Sequence, residues 1–308
     1  MATAQTGSNS HPAPGSPPAL ADALTGWDPA PVRRSEVIAA EPAQALAGVL
    51  DQPPPVREEG DALPALWHWL HFLDRPAESE LGADGHPSQG HFYPPIARRV
   101  RMFAGGRMTV TAPVRVGEHV TRDSRITDWR IKQGRRGELL FVTVEHRLSV
   151  AGEPRVVEEQ DLVYRQAEEG DPPPAGPSTG HPPPAQANSS EFWLTPSSTL
   201  LFRFSALTYN AHRIHYDHPY ATGVEGYPDL VVHGPLLALA LLELPRRAGH
   251  AVRAFRFRLR SPCYVGRAVL LRQTPGGDAG TVELTALSGA DAAVTAQAEI
   301  QASDRAHR

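Results

Sequence analysis

The chain has 308 residues, of which 41% are hydrophobic and 21% charged, and its formal net charge at neutral pH is -4. This length suits one large domain or two of ordinary size, with enough apolar sequence for a sizeable core. The small net charge argues against nucleic-acid and membrane-surface partners, and the single cysteine, Cys263, excludes an internal disulfide framework. Because no apolar run approaches the roughly 20 residues of a membrane span and the first residues do not resemble a secretory signal, we expect a cytoplasmic protein.

Two proline-rich segments divide the chain. Residues 1–19 are rich in Pro, Ser and Gly and are predicted to form a disordered tail. Residues 167–190 hold seven prolines, too many for the interior of a helix or sheet, and are predicted to form a linker. The folded material would then be an N-terminal unit at 20–166 and a C-terminal unit at 191–303.

The two units contain similar patterns. TAPVRVGEHV (Thr111–Val120) and RSPCYVGRAV (Arg260–Val269) share Pro, Val, Gly and Val in register, 149 residues apart. Each is preceded by an apolar run that begins with proline, PALWHWLHFL (Pro64–Leu73) and PLLALALLEL (Pro235–Leu244), which predicts one buried helix per unit. Runs with the two-residue alternation of strands surround each shared motif.

These elements predict an α+β fold in which each half is an antiparallel sheet wrapped around one central helix. The arrangement resembles the hot-dog fold, and the whole chain resembles a double hot-dog. Two unrelated α+β domains are the alternative.

Polar residues that can carry chemistry are concentrated just before the second helix. They lie in SALTYNAHRIHYD and in the dipeptide that opens the helix, and the candidates are Tyr209, Asn210, His212, Arg213, His215, Tyr216, His233 and Gly234. The first amides of a helix have no internal partners and carry the positive end of its dipole, so the N–H of Gly234 suits a developing negative charge. Pro235 offers no N–H, and a histidine transfers protons near neutral pH.

This pattern is similar to that of the R-specific enoyl-thioester hydratases and dehydratases of the MaoC type. Their motif is D-x-N-P-(aliphatic)-H-x-D, followed by H-G at the start of the hot-dog helix. On this alignment His215 occupies the position of the catalytic histidine and Gly234 that of the oxyanion-hole glycine. Asn210 stands where the family has its catalytic aspartate, and Arg213 stands where it has proline. NAHRIHYD, together with WHWLHFLD and RRVRMFAGGRMTV in the first half, resembles the hydroxyacyl-thioester dehydratase type 2 subgroup and its mesaconyl-CoA or itaconyl-CoA hydratase relatives.

The resemblance implies a hydro-lyase that adds water to, or removes it from, a short enoyl- or 3-hydroxyacyl-CoA, without a cofactor. Mesaconyl-C4-CoA or itaconyl-CoA is the expected substrate, and the non-catalytic first half would complete the pocket. His215 would be the acid/base, Asn210 would orient water, Gly234 would stabilise the oxyanion and Arg213 would bind a substrate carboxylate. The further candidates for contact with the substrate are Tyr209, His212, Tyr216 and His233.

Other interpretations stay open at this stage. The spacing of His212, His215, Asp217 and His218 is compatible with a zinc or iron site, but there is no H-E-x-x-H helix and Pro219 follows at once, so no metal is predicted. A 3-hydroxyacyl-thioester dehydratase of fatty-acid or polyketide metabolism is one alternative function. A non-catalytic acyl-CoA-binding protein is another, because an amide replaces the family's acid. A thioesterase is disfavoured because no candidate nucleophile lies at a helix start. The sequence does not decide between a monomer and a homo-oligomer.

Overall fold

The computed structural model describes residues 19–134, 137–167 and 190–302. The predicted tail and linker therefore fall outside the described residues, apart from Ala19, Ala167 and Ser190 at their edges. In the described ranges no helix combines the length and the apolar character needed to cross a membrane.

The structure contains ten strands and five α-helices in the described residues. The strands are β1 (Val32–Val37), β2 (Arg99–Val110), β3 (His119–Gly134), β4 (Gly137–Val150), β5 (Glu153–Gln166), β6 (Glu191–Leu194), β7 (His250–Leu259), β8 (Val269–Pro275), β9 (Thr281–Ser288) and β10 (Asp291–Ala302). The helices are α1 (Leu20–Ala23), α2 (Glu41–Val49), α3 (Ser198–Leu207), α4 (His218–Gly223) and α5 (Gly234–Arg247). Short 3-10 turns span Trp67–Leu70, Glu78–Glu80 and Arg213–His215.

All ten strands form one antiparallel sheet with the order β1-β3-β4-β5-β2-β7-β10-β9-β8-β6. The order of the second half mirrors that of the first, and the two halves meet where β2 pairs with β7, with Arg107 opposite Arg256. This is the predicted α+β double hot-dog architecture.

The shared sequence motif adopts the same backbone in both halves. Gly117 and Gly266 both have positive φ, 85° and 72°, a conformation that glycine adopts without strain. The N–H of Gly117 donates to the carbonyl of Ile38 after β1, and the N–H of Gly266 donates to the carbonyl of Pro196 after β6. The shared motif is therefore one turn, placed directly before β3 and β8, that is hydrogen-bonded to the residues following the outermost strand of each half.

Helix α5 fills the concave side of the second half. It packs against β7, β8, β9 and β10, and its side chains from Leu236 to Pro245 are buried. Pro235 lies in the first turn, where its missing N–H leaves no helical hydrogen bond unmade. This confirms the second predicted helix. Its apolar residues join those of α2 and α3 in a single continuous core.

The helix predicted at Pro64–Leu73 is wrong. The structure has only a 3-10 turn at Trp67–Leu70, because Leu66 and Phe72 on either side have positive φ, 66° and 55°. Carboxylates from two strands hold this conformation. Glu158 lies 2.7 Å from both His68 Nε2 and Trp69 Nε1.

Glu36 on β1 holds the other end of the same turn. Its carboxylate accepts from the Phe72 N–H at 2.7 Å and lies 2.9 Å from His71 Nδ1. Charged partners that are distant in sequence therefore override the local apolar pattern. The nearest α-helix in this half is α2, which the sequence pattern did not predict.

Candidate active site

A reversal of the chain after α3 presents the histidine-rich loop to the start of α5. Tyr209 has a φ of 50°, so it ends the helix in the left-handed region. The N–H of Asn210 donates to the Ser205 carbonyl at 2.9 Å, and Asn210 Oδ1 accepts from the His212 N–H at 3.1 Å. This side-chain turn leads directly into the 3-10 turn that carries His215.

His215 is a buried imidazole with a defined tautomer. Its Nδ1 lies 2.7 Å from the Val231 carbonyl, which can only accept, so Nδ1 carries the proton and Nε2 offers a lone pair. Burial, opposed by the bond to Val231 and assisted by the nearby His86, lowers the pKa of His215 to about 4. The ring is therefore neutral near pH 7, and Nε2 is suited to accept a proton.

His233 connects this imidazole to the start of α5. The two rings stack with centroids 3.6 Å apart and an interplanar angle of 20°. His233 Nε2 lies 2.9 Å from Ser205 Oγ, and burial lowers its pKa well below the ordinary value. His233 immediately precedes Gly234, so the stacked ring of His215 lies beside the first turn of the helix.

Gly234 is the first residue of α5, and its N–H has no acceptor within the helix. A Cβ built on Gly234 would approach Leu259 Cδ1 to 2.2 Å, so β7 closes tightly over this position. Since Pro235 has no N–H, the amides of Gly234 and Leu236 are the donors that the helix start offers to an anionic oxygen. The imidazole of His215 thus stacks on the side chain of the residue that directly precedes this amide.

Arg213 is engaged by its own loop. Its Nε and Nη2 donate to Asp217 Oδ2 at 2.9 and 2.7 Å, and its guanidinium lies 3.9 Å from the ring centroid of Tyr220. Nη1 donates to the Ala83 carbonyl at 2.9 Å. Asp217 in turn caps α4 by accepting from the Tyr220 N–H. These contacts lock the loop against the first half and give Nε, Nη1 and Nη2 of Arg213 a partner within the protein.

The predicted tyrosines lie at the outer side of the loop. The residues Tyr209 and Tyr216 are 54% and 44% exposed, and the Tyr216 hydroxyl donates to the Ala211 carbonyl at 3.1 Å. His212, in contrast, lies inside. Its ring is 5.4 Å from that of His215, and burial, followed by the charges of neighbouring groups, lowers its pKa.

The first half contributes two groups that the sequence reasoning missed, Asp84 and His86. His86 Nδ1 donates to Asp84 Oδ2 at 3.0 Å, and its ring lies 3.9 Å from that of His212 at an angle of 33°. The Arg213 N–H donates to the Asp84 carbonyl at 2.8 Å. Four imidazoles thus form a row in the order His86, His212, His215 and His233.

Residues 66–265 match the family of hydroxyacyl-thioester dehydratase type 2. The chain belongs to this family. It is also 43% identical over 249 residues to mesaconyl-C(4)-CoA hydratase of Chloroflexus aurantiacus, and the match covers 80% of this chain and 88% of that protein. The family confirms the predicted hydratase or dehydratase class.

Two solved structures share the fold of this type 2 dehydratase family member. A MaoC-like dehydratase from Phytophthora capsici has a TM-score of 0.63 at 14% identity and covers 91% of this chain and 97% of its own. HtdX of Mycobacterium tuberculosis has a TM-score of 0.58 at 19% identity and covers 87% of this chain and 99% of its own. At these identities the likeness concerns the fold, and it agrees with the predicted double hot-dog.

One cluster in this family member has the composition of a cation site. Ligand atoms of Asp84, His86 and His212 all lie within 4.8 Å of one another. Arg101 opposes a cation here, because its charge contributes to lowering the pKa of both His86 and His212, after the larger effect of burial.

Proposed function

We propose that this protein hydrates an enoyl-CoA thioester with a short dicarboxylic acyl group. Mesaconyl-C4-CoA is the first candidate for this substrate. The observation that carries the proposal is the free Nε2 of a neutral His215 beside the bare amide of Gly234. The similarity over most of the chain to a mesaconyl-C(4)-CoA hydratase supports the choice of substrate.

In the proposed reaction a water molecule adds across the C2=C3 double bond. His215 Nε2 takes a proton from the water as its oxygen bonds to C3, and the electron pair of the double bond moves onto the thioester oxygen. The N–H of Gly234 stabilises that oxygen as its negative charge develops. The imidazolium then returns the same proton to C2, so one water is added and the enzyme ends unchanged.

The neighbouring groups would prepare this step. The Val231 carbonyl fixes the tautomer and the orientation of His215, and stacking on His233 fixes the ring plane. Asn210 Oδ1 bonds one N–H of the loop and keeps a second lone pair, which can orient the water. We assign Arg213 a role in stabilising the loop, because Nε and Nη2 of its guanidinium already donate to Asp217.

The test is a spectrophotometric assay with purified protein. Mesaconyl-C4-CoA and crotonyl-CoA are each added, and loss of the conjugated enoyl absorbance is followed together with release of free thiol. We expect the enoyl absorbance to fall without thiol release and the product mass to rise by one water. Thiol release would indicate a thioesterase, and unchanged absorbance with both substrates would refute the proposed function.

A further inference from the structure

Arg101 on β2 is a half-buried guanidinium that faces phenols. Its Nη1 donates to the Tyr93 hydroxyl at 3.0 Å, and its guanidinium lies 5.4 Å from the centroid of that ring. In the part of the chain that the structure describes, Arg101 forms no ion pair with a carboxylate. Asp74, whose charge acts on Arg101, is 2.5 Å from Arg34. Most of the hydrogen-bond donors of Arg101 therefore stay available.

Tyr164 on β5 adds a second available donor at the same place. It is directly opposite Arg101 in the pairing of β2 with β5, so both side chains lie on one face of the sheet. Tyr164 is fully buried, and its hydroxyl has no hydrogen-bond partner among the described residues. A buried hydroxyl that lacks a partner is costly, and here it lies beside a positive charge. Both groups suit an acceptor that bears negative charge.

This pair lies next to the row of imidazoles. Arg99, two residues before Arg101 on the same face of β2, donates through Nη2 to the carbonyls of Pro87 and Ser88, which follow His86 directly. Through those bonds Arg99 holds the His86 turn over this part of β2. The charge of Arg101 contributes to lowering the pKa of His86 and His212, as expected for a near neighbour.

We infer that Arg101, Tyr93 and Tyr164 form the binding site for the free carboxylate of a dicarboxylic acyl group. The inference rests on the proposed function and names the residues that distinguish its substrate from a simple enoyl-CoA. Arg213 was the expected carboxylate anchor, and Arg101 takes this role because its donors are open. An arginine fork binds a carboxylate through paired charge-assisted hydrogen bonds, and the phenols add two O–H donors.

The test compares two substrates in two variants. Arg101→Met removes the charge at similar side-chain length, and Tyr164→Phe removes only the hydroxyl. For mesaconyl-C4-CoA we expect Arg101→Met to raise KM about 10- to 100-fold and Tyr164→Phe to raise it about 3- to 10-fold. Crotonyl-CoA carries the same CoA phosphates but no acyl carboxylate, so its KM should stay within about 2-fold. Arg256→Met, on the exposed side of β7, is the matched control and should change neither.

Two outcomes would overturn the inference. An equal loss for both substrates would mean that Arg101 binds the CoA moiety or supports the fold, and unchanged KM values would mean that it binds nothing. If Arg101→Met does not fold, Tyr164→Phe decides alone, because the hydroxyl it removes has no hydrogen-bond partner within the described ranges. If the parent protein hydrates neither thioester, the proposed function fails, and calorimetric binding of the same two thioesters still tests the carboxylate site.

Discussion

Acidification from pH 8 to pH 5 should destabilise the fold through its buried neutral histidines. Burial lowers the pKa of both His146 and His215 to about 4. In the unfolded chain a histidine titrates near 6.5, so below that pH the unfolded state binds protons that the folded state does not. For each of these two residues the linkage relation gives a loss of about 2 kcal/mol at pH 5, or about 4 kcal/mol together. The pKa of His71, His86, His212 and His233 is lowered as well, which acts in the same direction.

The comparison of pH 8 with pH 5 tests the buried histidines separately from Glu158, the main buried acid. Burial would raise the pKa of Glu158, but bonds and charges from His68, His146 and Gln160 lower it to about 2. The stability that Glu158 contributes is present above its unfolded pKa and is lost only as the pH falls from about 4.5 toward 2. Glu158 therefore stays ionised in the folded protein throughout the comparison.

The assay is urea unfolding of the full chain at pH 8 and pH 5, with the free energy of unfolding as the readout. In His146→Gln the difference between the two pH values should shrink by about 2 kcal/mol, because one buried titrating ring is gone. His119→Gln, which replaces an exposed histidine, is the matched control and should leave the difference unchanged. Equal free energies of unfolding at pH 8 and pH 5 in the parent protein would refute the reasoning.

Two further predictions concern the loop contacts around the site. Gly85→Ala should lower the free energy of unfolding by at least about 2 kcal/mol, because Gly85 has a φ of 85° and its added Cβ would meet the Ala211 carbonyl oxygen at 1.8 Å. Gly152→Ala, with the same φ but open space around it, should lower the free energy of unfolding by less. Equal losses in urea titrations would contradict the close contact of Gly85 in the first half with Ala211 in the second. Asn210→Asp should keep full stability because it keeps the acceptor for the His212 N–H, whereas Asn210→Ala should lose about 1 kcal/mol. If thermal or urea unfolding showed the same loss of stability for Asn210→Asp and Asn210→Ala, the hydrogen bond from the His212 N–H to residue 210 would not stabilise the loop.

The repeat could be predicted from sequence because its signal is local. A proline, a glycine that needs positive φ and alternating apolar residues specify the turn and its strands wherever they occur. For the same reason the start of α5 and its neighbouring histidines were found, since His215 and Gly234 belong to one short stretch of chain. The double hot-dog followed from the recurrence of these local patterns.

What the sequence missed depends on contacts between distant segments. The apolar run at Pro64–Leu73 has the pattern of a helix, yet carboxylates from β1 and β5 hold it as a turn. Asp84 and His86 reach the site only because their turn packs on a loop more than a hundred residues away. Arg101 shows no local feature that separates it from the other arginines of β2. Its significance appears only when Tyr164 is placed opposite it.

Turnover of His215→Gln is the most direct test of the account. Glutamine can donate to the Val231 carbonyl as the imidazole does, but it cannot take and return a proton at neutral pH. With mesaconyl-C4-CoA, kcat should fall by about 10²–10⁴-fold while circular dichroism and the unfolding midpoint show an intact fold. His218→Gln, an exposed neighbour in the chain, should retain the parent rate. A folded His215→Gln protein that hydrates the substrate within about 10-fold of the parent rate would contradict the assignment of this imidazole as the acid/base.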